Sequence, residues 1–364
     1  LEPGQPVTDY GDITLAAGGA ILGVTLGCLI SVIYLHVKYR GAGSALADAA
    51  GTPKSGRATM KELLSIAVPI TLGSAGLQII NLFDTMIYMR RLELGLGWSV
   101  EMAENLKGVY NYQQTIFALP CAFIPTITIA CIPAITAALT RRELDNVRAT
   151  EESAIRTMAL VAMPCAAGLF AMAEPVIRLL CTSYTPEQLA VATKMLMILG
   201  VAVIFNSLVL LFNAFMQAHG DVTSPVINMF IGGIVKIAVN YVLVGIPEIN
   251  IVGAPVGTLV CYVVITVLNY FALRRCVKGD LPIFRNLIRP LIASAIMGAG
   301  TFMVYRVLRT LLPSGRLACL AALLFAVCLY LILAVALRCI TYEDCMLLPK
   351  GEKIAKILRI REKN

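Results

Sequence analysis

Residues 222–245 read VTSPVINMFIGGIVKIAVNYVLVG, an almost wholly apolar run with one full positive charge, Lys236, at its middle. No acidic residue lies beside it. Which solvent surrounds this run decides the fold. About 20 apolar residues in a helix cross a hydrocarbon core roughly 30 Å thick.

The rest of the chain points to the same solvent. Of 364 residues, 58% are hydrophobic and 14% charged, with a mean hydropathy of +0.80. Soluble domains carry about a quarter charged residues, so this composition belongs to a polytopic membrane protein. Nine runs are long enough to span: 13–37, 63–88, 109–138, 155–181, 189–217, 222–245, 251–273, 290–311 and 316–338. They are too long for barrel strands and lack the alternation of such strands. The expected fold is therefore all-α integral membrane. Pro69, Pro120, Pro125, Pro133 and Pro164 fall inside runs, where membrane helices break or bend around a cavity.

Charge placement gives an orientation. Basic residues gather in 38–62, in 139–156, in 274–289 and in the tail KGEKIAKILRIREKN, whereas GIPEIN and CTSYTPEQ carry none. The segments 89–107 and 309–316 are exceptions, with Arg90, Arg91, Lys107, Arg309 and Arg316. The positive-inside rule places the basic set and the C-terminus in the cytoplasm. Residue 1 then lies outside. The odd span count and the opening Leu give the expectation of a chain cut from a longer one. The segment 38–62, rich in Gly, Ala and Ser, reads as a flexible inter-lobe linker.

Several chemistries are disfavoured. The net charge of +8 sits in loops and tail, where membrane anchors lie, and no nucleic-acid partner is expected. The eleven cysteines fall mostly in apolar runs, with no CxxC pair, and read as small, buried, reduced residues. The two histidines, His36 and His219, form no metal-spaced cluster, and no phosphate-binding GxxxxGK[ST] loop occurs. Neither a cofactor nor an enzymatic activity is expected.

Polar residues within the runs mark interior faces, because polar groups facing lipid are costly. In 63–88, Thr71, Ser74, Gln78, Asn81 and Thr85 step by three or four and form one stripe, with Asp84 beside its outer end. In 189–217, Asn206, Asn213 and Gln217 share a face; in 222–245, Asn228, Gly232, Lys236 and Asn240 do. Individually such Asn and Gln residues serve as helix–helix hydrogen bonds. Five on one helix favour a cavity lining. Lys236 lies roughly 4 Å from the middle of its helix, and a lysine stem reaches too short a distance for its ammonium to snorkel to the headgroups. Three roles stay open: meeting an anionic ligand in a watery cavity, linking to Asn240, Asn206 or backbone carbonyls, or standing neutral through burial.

A family resemblance follows from longer stretches. The segment from LMILGVAVIFNSLVLLFNAFMQAHGD through NYVLVGIP to GAPVGTLVCYVVITVLNYFALRR, together with ALPCAFIPTITIACIPAITAALTRREL and IRTMALVAMPCAAGLFAMAEPVIRLLC, resembles the stage V sporulation protein B and MurJ-like lipid II flippase branch of the MOP superfamily. The resemblance covers roughly residues 60–340. It implies two six-helix lobes, with two extra helices in some branches. Residues 1–37 would then end a first lobe, 38–62 be the linker, 63–273 the second lobe, 290–338 the extra helices and 339–364 a basic cytoplasmic tail. It also implies alternating access and an undecaprenyl-pyrophosphate sugar or peptidoglycan precursor as substrate in a bacterial cytoplasmic membrane. Anionic membrane lipids are expected partners, and Na+, H+ or the membrane potential the candidate driving agents. The candidate cavity residues are Ser74, Gln78, Asn81, Asp84, Asn206, Asn213, Asn228, Lys236 and Asn240. The alternatives are an ion-coupled multidrug antiporter of the MATE kind and a non-transporting scaffold for wall synthesis.

Overall fold

The computed structural model describes residues 10–41, 55–277 and 282–339. Among them every regular element is helical: α1 (Tyr10–Gly41), α2 (Gly56–Arg90) followed by a π-helical turn (Arg91–Gly95), α3 (Val100–Cys121), α4 (Ile124–Thr140), α5 (Leu144–Ala171), α6 (Ala173–Leu180), α7 (Pro186–Ala218), α8 (Thr223–Val244), a short 3-10 turn (Asn250–Val252), α9 (Gly253–Cys276), α10 (Ile283–Leu311) and α11 (Gly315–Ala336). Eight helical stretches among the described residues are long and apolar enough to cross a membrane. The ninth expected run, 63–88, lies within the continuous helix α2, but several of its side chains between 65 and 77 fall outside the described ones.

Two expected spans differ from the helices found. The run 109–138 begins earlier and is two helices, α3 and α4. They part at Ala122 and Phe123, between Pro120 and Pro125, where the missing amide hydrogens weaken the ladder. The run 155–181 is α5, which starts at Leu144, then a break at Met172 and the short α6. The charged first turns of α5 masked its true start.

The chain divides into two compact units, Leu1–Val68 and Pro69–Asn364. In the first, α1 exposes its apolar residues on every side, from Leu15 to Tyr39. A helix apolar all round has lipid for its natural solvent. In the second, α7 is the central post, flanked by α3, α4, α5, α6 and α9; α8 packs on α9, and α10 packs on α5 and α11. Leu196, Leu199, Val203, Leu211, Phe212 and Phe215 of α7 are fully buried or nearly so. At Gly200 the helices α5 and α7 approach closely: a Cβ there would stand 3.0 Å from the backbone nitrogen of Phe170 and 3.2 Å from both the carbonyl oxygen of Ala166 and the Cβ of Leu169. The ten cysteines described are free, but Cys28 and Cys328 are exposed rather than buried, both on apolar helix surface that suits lipid contact.

The QAHGD stretch is an αα-corner whose parts have separate tasks. Gly220, at φ +88°, takes the left-handed position after α7. The N–H of Gly220 bonds the Gln217 carbonyl at 3.0 Å and that of Asp221 bonds the Met216 carbonyl at 2.9 Å, closing the helix. Asp221 then opens the next helix, its Oδ1 accepting from the N–H groups of Thr223 (3.2 Å) and Ser224 (3.0 Å). Partial burial works against the Asp221 charge, but the bonds from Ser224 and Thr223 outweigh it and hold the carboxyl below its usual range.

Candidate functional site

Several interior hydrogen-bonded groups join helices of the second unit, and the sharpest contains Lys236. Its Nζ lies 3.0 Å from Oδ2 of Asp84 on α2, and the amide of Asn240, one turn further along α8, donates to Oδ1 of the same carboxylate at 2.6 Å. Asp84 is 2% exposed and Asn240 fully buried; the lysine side chain keeps 13%. The charge therefore has an acidic partner brought from another helix, which none of the three roles open in the sequence included. The spacing of four did place Lys236 and Asn240 on one face, and that face meets Asp84.

Small residues make the approach possible. Gly257 of α9 faces the Asn240 side-chain oxygen, and a Cβ at that position would collide with it. Gly232 faces Ile265 of α9 and Gly233 faces Ile80 of α2, so α8 is pressed between two neighbours at its middle. Nearby, Tyr110 of α3 shares a hydrogen bond of 3.0 Å with Thr258 of α9, and Tyr88 meets the Tyr110 ring edge-on at 6.3 Å. Arg91, in the π-helical turn after α2, donates to the Tyr241 carbonyl at 3.2 Å and lies over the Tyr241 ring at 4.5 Å. A second clasp thus holds the end of α2 to α8.

The second group is a relay of amides. Asn228 donates to Asn269 at 2.8 Å, Asn269 donates to Asn213 at 2.8 Å, and the Asn213 amide reaches the Met229 sulfur at 3.8 Å. Helices α7, α8 and α9 are joined this way. Asn269, fully buried, was not singled out from sequence; its place in the apolar run VITVLNYF was the available signal. Asn206 is apart from both groups. The third group was also missed: Glu151 of α5, fully buried, sits 2.8 Å from the His219 ring nitrogen of the QAHGD corner. Glu151 had been grouped with a basic loop, since α5 was expected to begin after it.

The stripe on α2 divides. Gln78 and Asn81 are exposed, whereas Asp84 turns into the bundle. Ser74 and Thr71 lie outside the described side chains. Elsewhere an apolar cavity of about 580 Å³ opens between α5, α7 and α10, lined by residues such as Met163, Phe170, Ile204, Gly298 and Phe302, with Ser294 a lone hydroxyl. Among the described residues no group of three or more His, Cys, Asp or Glu side chains could hold a metal ion.

Comparison with known proteins places this architecture. The family model described as lipid II flippase MurJ matches residues 6–332. A membrane protein of Bacillus subtilis (strain 168), YabM, itself described as uncharacterized, is 29% identical over 311 residues, covering 84% of this chain and 56% of its own length. Stage V sporulation protein B of the same organism is 26% identical over 263 residues, 71% of this chain and 49% of its own. A solved structure of the lipid II flippase MurJ in an inward closed conformation superposes with a TM-score of 0.58 at 13% identity, over 83% of this chain and 59% of that one. That likeness is one of fold. The chain spans about half the length of the curated relatives it matches.

Proposed function

The chain belongs to the lipid II flippase MurJ family, and from that premise we propose that it is part of a multi-pass transporter carrying a lipid-linked oligosaccharide or peptidoglycan precursor across the bacterial cytoplasmic membrane by alternating access. The observation that carries the reading beyond family is the divided stripe of α2. Gln78 and Asn81 stand open beside the exposed apolar Ile79, Leu82 and Phe83, while the neighbouring Asp84 is buried and neutralised by Lys236. Open polar groups at membrane depth suit a watery cavity rather than lipid. A scaffold with no transport path would have them sealed against another helix.

In this reading Lys236 does not wait for a phosphate. Its charge is matched by Asp84, and the pair sets the distance between α2 and α8. The cavity wall is the Gln78 and Asn81 face, supplied by residues 63–273 as one lobe, with 290–338 as two further helices and 1–37 as the end of another lobe. The chain carries out no covalent chemistry. Its basic tail lies in the cytoplasm, and an ion gradient or the membrane potential drives the cycle.

The test is translocation. The full-length protein is expressed in a bacterium depleted of its own flippase, and precursor reaching the outer leaflet is measured. Wild type is expected to restore translocation, and Asn81→Trp to lower it several-fold at unchanged membrane abundance. Normal abundance of the wild type without any translocation would overturn the reading.

A further inference from the structure

At the hairpin between α10 and α11 lies a cavity of about 410 Å³ lined by Arg178, Tyr305, Arg309, Ser314, Gly315 and Arg316, among others. Three guanidinium groups share it with little negative charge. Arg178 is held by Glu174 at 2.9 Å. Among the described residues no carboxylate pairs with Arg309 or Arg316.

Two further features give the cavity an anion-binding character. Helix α11 starts at Gly315, and its N-cap residue Ser314 makes no side-chain capping bond, so the first N–H groups lack that acceptor. The Arg309 guanidinium lies against the same turn: a Cβ at Gly315 would stand 3.3 Å from its Nε and 3.4 Å from its Cζ. A cation is thus set beside the positive end of a helix. That arrangement is unfavourable alone and favourable with an anion between them.

The level of the cavity selects the anion. One candidate span ends at Leu311 and the next begins at Gly315, so the hairpin sits at a membrane–water boundary. Leu311 and Leu317 beside it are 72% and 55% exposed, an apolar surface on which acyl chains can lie. We propose that this cavity binds the phosphate of an anionic membrane phospholipid, with Arg309, Arg316 and the first turn of α11 as its donors. Two unmatched positive charges favour a headgroup without its own ammonium, such as phosphatidylglycerol. Basic pockets between membrane helices bind lipid headgroups by this chemistry. The site lies on α6, α10 and α11, apart from the Asp84–Lys236 pair, and stands whether or not the chain transports lipid.

The experiment uses the full-length protein in a neutral detergent, with lipid binding followed by native mass spectrometry and by thermal unfolding. Phosphatidylglycerol is expected to bind about tenfold tighter than phosphatidylcholine, the scale of one or two exposed charge-assisted contacts. Arg309→Gln/Arg316→Gln is expected to abolish that preference, and the charge-matched control Arg141→Gln/Arg285→Gln to keep it. If the double variant does not purify folded, Arg316→Gln alone reads the same loss. A preference that survives in the Arg309 and Arg316 variants, or is absent in wild type, overturns the proposal. So does equal stabilisation by inorganic phosphate at the same headgroup concentration, which would make this a site for free anions.

Discussion

A lysine and an aspartate buried together are two desolvated charges whose attraction does little more than offset their burial. Their worth lies in the consequence of losing one. Asp84→Leu leaves Lys236 buried without its counter-charge, and Lys236→Met leaves the carboxylate with only the Asn240 amide. Each single variant is expected to lose roughly 3 kcal/mol of stability, the usual scale for an orphaned buried charge. The double variant is expected to regain most of it. Thermal unfolding of the four proteins in one detergent measures the coupling; additive losses would show that the two side chains do not act as a pair. The position of Lys236 on an inward face was legible from its steps of four to Asn240 and Gly232. Its partner was not, because Asp84 is remote in sequence and reaches it only through the crossing of α2 and α8. The intervals along one helix say which residues share a face but not what the face meets.

At the scale of elements, the QAHGD corner and its cap give a pH dependence. The Asp221 carboxyl titrates below its unfolded value because Ser224 and Thr223 bond its charged form. Its contribution is complete above about pH 4, the unfolded carboxyl range, and is lost as pH falls through the lower folded value. Asp221→Asn keeps a capping oxygen but removes the charge. The variant is expected to be less stable than wild type at pH 7 by roughly 0.5 kcal/mol, the usual scale for an acidic group at a helix start. That difference should shrink as the buffer is acidified below about pH 4, and a gap independent of pH would refute the assignment. Gly220 and Asp221 announce this corner in the sequence, since a left-handed position and an N-cap both have residue signatures. The breaks at Ala122 and Met172 were harder to see. Proline marked a bend near the first, but only packing decided that α3 and α4 become separate helices. At the second, Met172 itself carries no breaker signature.

For the whole molecule, composition and run length made the membrane class readable, since the bilayer thickness dictates the length of every span. The resemblance to the MurJ-like branch was carried by stretches distributed over most of the chain, and the family match extends over residues 6–332. Which polar residues face outward required the assembled helices. The exposure of Gln78 and Asn81 alongside the burial of Asn228 and Asn240 predicts a labelling contrast. In the full-length protein, with exposed Cys28 and Cys328 replaced by Ser, Gln78→Cys and Asn81→Cys should react with a membrane-impermeant maleimide. Asn228→Cys and Asn240→Cys should react at least tenfold more slowly, because opening a buried site costs on the order of 1.4 kcal/mol or more. Labelling at positions 78 and 81 as slow as at 228 and 240 would mean that the α2 face is sealed.

The close approach at Gly200 bears on which residue such a bundle can hold there. Side chains at an interface act as springs, because rotamers can change while the backbones slide. Between α5 and α7 there is little room for one at this point: a Cβ on Gly200 would stand 3.0 Å from the Phe170 amide nitrogen and 3.2 Å from both the Ala166 carbonyl oxygen and the Leu169 Cβ. A side chain added at Gly200 would therefore have to push α5 and α7 apart by a few tenths of an ångström, so the position tolerates little besides glycine.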